Sequence, residues 1–260
     1  MGARILLFVS VIPVILLGKY FIDKDRNKEP RELLTKLFFG GVASVIFALI
    51  ITLLLEFIFP FLANDAENLN MFELFIYVFF GIALVEEVSK WIFVYKISFN
   101  HQEFDEIYDM VLYAVFVSLG FACIENILYV FNGGITVGLV RGILAVPGHC
   151  VDAVFMGHYL GKAKTCEIAN NAIGKKKNIM LSILIPTIMH GIYDFCLFAG
   201  TWVTISIFVL FVIISYILAI KKIKEYANKE EKMRYKHNFC AKCGAKVESN
   251  FCPFCGHKNI

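Results

Sequence analysis

Two adjacent carboxylates and an ammonium, Glu86, Glu87 and Lys90, interrupt an apolar run that extends from Phe75 to Tyr95. Three later apolar stretches carry Glu125, then His149 and Asp152, then His190 and Asp194. Carboxylates and imidazoles are the side chains that activate water, ligate a divalent ion or relay protons. One charge at the centre of a bilayer costs about 2.5–3.5 kcal/mol. Groups of this kind persist there only where they compensate one another or serve a reaction.

Helical spacing limits which of them cooperate. Glu86 and Lys90 are four residues apart and share a face, as do His190 and Asp194, whereas Glu87 is turned by ~100°. His149 and Asp152 are three apart. Pro147-Gly148, just before His149, is expected to loosen that helix and free carbonyls at membrane depth. His158 falls on the face opposite His149 and is set aside. From the outer ends of their spans, Glu86 lies about 14 residues in, His149 about 12 and His190 about 9, which at ~1.5 Å per residue agrees within ~8 Å. Glu125, about 6 residues in by the same count, is expected further out.

The elements that must position these groups are membrane helices. The chain has 260 residues, 58% of them hydrophobic, and a net charge of +3; its mean hydropathy is +0.69. Soluble domains run about 45–50% apolar, so the excess implies burial in lipid. We expect an all-α polytopic fold with about seven transmembrane helices, near 4–22, 36–62, 72–97, 107–131, 137–160, 179–199 and 202–220. The first reads as an uncleaved helix, since no small-x-small site follows it. Lys24, Arg26, Lys28 and Arg31 lie in one connection, Lys162, Lys164 and Lys175 to Lys177 in another, and Lys221, Lys222 and Lys224 after the last span. The alternate connections carry no Lys or Arg. The positive-inside rule therefore sets the N-terminus outside and the C-terminus in the cytoplasm. Arg4 and the acidic loop from His101 to Glu106 go against it.

A composition change after Ile220 divides the chain into a membrane domain (1–222), a charged linker (223–237) and a tail (238–260). The tail holds Cys240-x-x-Cys243-Gly244 and Cys252-x-x-Cys255-Gly256. Two such turns present four thiolates, the tetrahedral set of a structural Zn²⁺. The tail resembles the small zinc ribbons appended to many bacterial and archaeal proteins. It is expected to act as a cytoplasmic docking module for a protein partner, and no nucleic-acid partner is expected.

Three motifs fall in order on successive helices: Glu86-Glu87-x-x-Lys90, Phe121-x-x-x-Glu125 and His190-x-x-x-Asp194. They resemble the PrsW family of intramembrane proteases, a family related to the CAAX-prenyl endopeptidases. Flanking residues match as well, namely Asp25-Arg26 with Glu29-Pro30, Gly120-Phe121-Ala122 with Glu125-Asn126, and Arg141 with Ala145-Val146-Pro147-Gly148-His149. The resemblance covers about residues 5–200. It implies an endopeptidase in the bilayer that cuts a membrane-anchored protein; in bacteria such enzymes can clip an anti-sigma factor. It also implies a general base in the glutamate pair, with Glu86 favoured and Glu87 the alternative, Glu87, Glu125, His149 and His190 as ligands or stabilisers, and Asp194 as the group orienting His190. Lys90 reads either as the neutraliser of the carboxylate pair or as a snorkelling interfacial lysine.

Two mechanisms fit these residues. In one, a catalytic Zn²⁺ held by some of Glu87, Glu125, His149 and His190 activates water. In the other, a buried glutamate activates water directly and histidine stabilises the oxyanion. Rival readings are a proton- or cation-coupled transporter, which would more often show internal repeats, and a non-enzymatic scaffold built around the ribbon.

Overall fold

The computed structural model describes residues 2–228 together with Cys255 and His257. Among these residues the chain is helical and has no strand. The helices are α1 (Ala3–Lys24), α2 (Arg31–Ile58), α3 (Met71–Ile76), α4 (Leu84–Ser98), α5 (Ile107–Ile143), α6 (Ala145–Ile168), α7 (Ala172–Ala199) and α8 (Trp202–Asn228). A π-helical segment, Tyr77–Ala83, joins α3 to α4 without a break. Cys240, Cys243 and Cys252 lie outside the described residues; Cys255 is exposed.

Five stretches are long and apolar enough to cross a bilayer: Ala3–Lys24, Arg31–Ile58, Ile107–Ile168, Ala172–Ala199 and Trp202–Ala227. The chain is an integral membrane protein. The expected count of seven differs from these five for two reasons. Ile107–Ile168 is 62 residues of nearly continuous helix, well beyond the ~20 residues of one crossing, and it reverses at Gly134, whose φ of 79° only glycine adopts freely. Beyond that turn the chain folds back until Arg141 meets Glu125 and Asn126. The other difference is Met71–Ser98, where the π segment and the charges of α4 break up the apolar helix.

α5 is the centre of the bundle. From Tyr108 to Cys123 every residue but Phe116 is buried, because α1 and α2 pack on one side of it and α6 on another. α4 fits between α2, α5 and α7, and α7 lies against α6 and α8. With lipid outside, packing and small residues rather than apolar burial hold such helices together. The α2–α5 crossing illustrates this. A Cβ on Gly41 would come within 1.9 Å of the Val117 carbonyl oxygen, and one on Gly120 within 2.0 Å of that of Phe38.

Helix ends and breaks have identifiable causes. Asn70 and Glu73 form a reciprocal capping box at the start of α3, and Gly200 ends α7 in the left-handed conformation. The break between α5 and α6 falls at Leu144 (φ −110°), not at the expected Pro147-Gly148. Pro147 sits in the first turn of α6, where its missing N–H costs no helical bond. The Leu144 carbonyl accepts from Gly148 N–H at 2.9 Å and from the Tyr216 hydroxyl of α8 at 3.0 Å.

The α1–α2 connection is fastened to α5. Asp25 accepts from the Glu29 N–H at 3.1 Å, the Tyr113 hydroxyl donates to the Glu29 carboxylate, and Tyr108 donates to the Phe21 carbonyl at 2.8 Å. Burial pushes the Glu29 carboxyl up to about 7 from 4.5, and Tyr113's bond only partly offsets it. A carboxyl whose pKa is raised on folding binds its proton more tightly in the folded state. Its contribution therefore favours folding at low pH and is lost as pH rises from about 4.5 through about 7.

Two outcomes follow for thermal unfolding in detergent. Gly120→Val should lower stability by at least about 1–3 kcal/mol through overpacking at the crossing. Glu29→Gln should flatten the decline in stability between pH 5 and 7.5 that wild type is expected to show; an unchanged slope would assign that decline to other groups.

Candidate functional site

α4, α5, α6 and α7 bring the charged residues to one place. The Lys90 ammonium is at its centre. It donates to Glu87 Oε1 at 2.7 Å, to Glu86 Oε2 at 3.3 Å and to His149 Nδ1 at 3.2 Å, and it lies 4.2 Å from the centroid of the Phe121 ring. Its three N–H groups are thus all engaged. Lys90 is 1% exposed, which excludes the snorkelling position and leaves the neutralising one.

Each histidine is held by carboxylates. His149 Nε2 is 2.7 Å from Glu125 Oε2. Because its Nδ1 accepts from Lys90, the ring proton belongs on Nε2, directed at Glu125. Glu125 is braced in turn by Arg141, 3.1 Å away, and Arg141 Nε donates to Asn126 at 3.2 Å. His190 Nδ1 is 3.0 Å from Glu87, and its Nε2 is 3.2 Å from Asp194 and 3.9 Å from Glu86 Oε2. The two imidazoles meet edge to face, with centroids 5.5 Å apart. Gly191 lets α7 approach the π segment, since a Cβ there would sit 2.4 Å from the Phe79 ring.

Access differs between the paired glutamates. The Glu87 side chain is 1% exposed and the Glu86 side chain 18%. Glu86 reaches the open side together with Glu125 and Asp194, which are also partly exposed. Its contacts with Lys90 and His190 both run through Oε2, and Oε1 is left to meet a further group.

Two trios of donor atoms could hold a metal ion, each with all its atoms within 4.8 Å of one another: Glu86, His149 and His190, and Glu87, Asp152 and His190. The first suits a catalytic ion better. Glu86 Oε2 and His190 Nε2, at 3.9 Å, are too far apart for a hydrogen bond, but close to the ~3.4 Å that separates two ligands at ~2.1 Å on a tetrahedral ion. The second trio is wholly buried and leaves little room for water.

Several positions differ from the sequence reading. Glu125, expected further out, bonds to His149, because α5 continues past residue 131 and turns at Gly134. Asp152, three residues from His149, points its carboxylate at Glu87 and His190 instead. Arg141 was visible as a polar residue in apolar sequence but had no partner assignable from spacing. His158 is remote from the site and bonds to Tyr226 of α8.

The chain is similar to proteins of known class. The family described as "PrsW family intramembrane metalloprotease" matches residues 29–219. Protease PrsW of Oceanobacillus iheyensis is 36% identical over 219 residues, which cover 84% of this chain and 94% of that protein. Protease PrsW of Clostridioides difficile is 34% identical over 238 residues, covering 87% and 94%. Protease PrsW of Bacillus subtilis is 36% identical over 196 residues, covering 75% and 84%. No solved structure matches.

The Lys90–Glu87 pair is expected to behave as a unit. Lys90→Met alone leaves a buried carboxylate uncompensated and should cost about 3–5 kcal/mol. The double variant Glu87→Gln/Lys90→Met should recover most of that loss in a double-mutant cycle. Additive losses would show that the two side chains are not energetically coupled.

Proposed function

The chain belongs to the PrsW family of intramembrane proteases, and on that premise we propose that Glu86, Glu87, Lys90, Glu125, His149, His190 and Asp194 form its hydrolytic centre. The observation that carries the assignment is the difference in access within the glutamate pair. Glu86 meets the open side of the site, whereas Glu87 is sealed beneath Lys90 and His190. Glu86 is the carboxylate that takes up the proton of the attacking water, through the Oε1 not engaged by Lys90. Glu87 and Asp194 fix the ring of His190, and Glu125 with Arg141 fixes that of His149; an imidazole N–H reaches the oxyanion that forms on the scissile carbonyl by turning from its carboxylate, as His190 Nε2 can from Asp194. The proton then passes from Glu86 to the departing amine.

The donor set suits a divalent ion, with Glu86, His149 and His190 as its holders. When bound, such an ion would polarise the carbonyl and acidify the water. Carboxylate-to-imidazole bonds of the kind that Glu125 makes to His149 Nε2 and Glu87 to His190 Nδ1 are the usual support of metal-ligating histidines.

The substrate of this reading is a single-span membrane protein, such as an anti-sigma factor or a comparable regulator. The reading has seven crossings: α1, α2, Met71–Ser98, α5 up to Gly133, residues 135–168, α7 and α8. The N-terminus is outside and the C-terminus cytoplasmic, as the lysine-rich connections favour. Residues 1–222 are the protease domain and 223–237 a linker, which begins as the end of α8. Residues 238–260 are a ribbon holding one structural Zn²⁺ on Cys240, Cys243, Cys252 and Cys255, an assignment that rests on the sequence motif.

Purified protein and a single-span reporter test the centre. Glu86→Gln and His190→Ala should each slow cleavage by roughly 10²–10⁴; Glu125→Gln and Asp194→Asn should do so by about 10–100-fold. Full cleavage by Glu86→Gln would remove Glu86 from the mechanism. In a Cys240→Ser/Cys243→Ser background, chelation should abolish cleavage and added Zn²⁺ should restore it. Cleavage that survives chelation would favour the glutamate acting on water alone.

A further inference from the structure

Lys90 occupies the place where an ion would have to bind. Of its three acceptors, two belong to Glu86 and His149, residues of the less deeply buried donor trio. The His149 contact is the informative one. An ammonium at 3.2 Å from Nδ1 uses the lone pair of that nitrogen, because Lys90 has only hydrogens to offer. The other nitrogen, Nε2, is committed to Glu125 at 2.7 Å. A neutral imidazole has one lone pair in the ring plane, so an ion ligated by His149 must take the one that Lys90 holds.

We propose that the Lys90 ammonium is a resident cation of the site that competes with a divalent ion for Glu86 and His149. The inference rests on the reading of Glu86, His149 and His190 as an ion-holding trio. Ion entry releases Lys90 from these two acceptors and leaves it on Glu87, which is already its shortest contact at 2.7 Å. Glu87 also touches His190 Nδ1 at 3.0 Å, and so keeps the ring in position while the ammonium withdraws. The two states differ in which cation balances the carboxylates, and Lys90 sets how tightly the site holds its ion.

The test compares ion affinities at constant site charge. Replacing Lys90 alone would add a net negative charge, which by itself attracts cations. Glu87→Gln/Lys90→Met removes one charge of each sign, keeps similar volumes, and leaves an amide oxygen where Glu87 accepted. Full-length protein carrying Cys240→Ser/Cys243→Ser, with and without this pair of changes, is titrated with Co²⁺ and followed by its visible absorption and by calorimetry. The expected result is Co²⁺ binding at least tenfold tighter in the charge-balanced variant, with His149→Ala abolishing the gain. Equal or weaker binding in the variant overturns the competition while leaving the ion site in place. Co²⁺ binding in neither protein overturns both the competition and the ion-holding reading.

Discussion

A buried ammonium with three acceptors is the constraint on which the rest of this structure depends. Lys90 lies in the interior of the bundle, where an uncompensated charge costs several kcal/mol, and its partners come from its own helix and from α6. Those partners are themselves shared. Glu87 is also a partner of His190, and His149 of Glu125. From one charge the network therefore extends to α5, α6 and α7. The packing of these helices is subordinate to it: Gly191 lets α7 close on the π segment, and Ser118 donates to the His149 carbonyl at 2.9 Å, fixing α6 against α5.

The same network explains why two adjacent glutamates differ in exposure. Adjacent helical positions diverge by ~100°, so Glu87 turns into the bundle and Glu86 toward its opening. One becomes a fixed counter-charge and the other a group that can meet water. Two identical neighbouring residues thus differ in burial and partners by direction alone.

Much of this was legible in the sequence, and the exceptions have physical causes. The i,i+4 pairs Glu86/Lys90 and His190/Asp194 were readable because helical geometry determines them locally, and both contacts are present. Which helices meet was accessible only through estimated depth, an estimate that set Glu125 at the outer edge of the group because a glycine turn does not mark how far the preceding helix runs. Pro147 misled for a related reason: proline breaks a helix in its interior but is tolerated in the first turn, and the sequence does not show where that turn begins. The π segment left no periodic signal in a uniformly apolar run. Arg141 and Asp152 find their partners only once the chain has reversed at Gly134.

The Tyr216 hydroxyl on the Leu144 carbonyl has a consequence for biosynthesis. A helix break at membrane depth has backbone groups that lipid cannot satisfy, and here one of the partners is in α8, 72 residues later in the chain. Synthesis proceeds from the N-terminus, so α6 with its histidine is made well before the helix that completes its entry turn. Until α8 is in place, the segment between Gly134 and His149 lacks one of its anchors. α8, whose Tyr216 holds the Leu144 carbonyl, is thus the element whose arrival completes the frame around them.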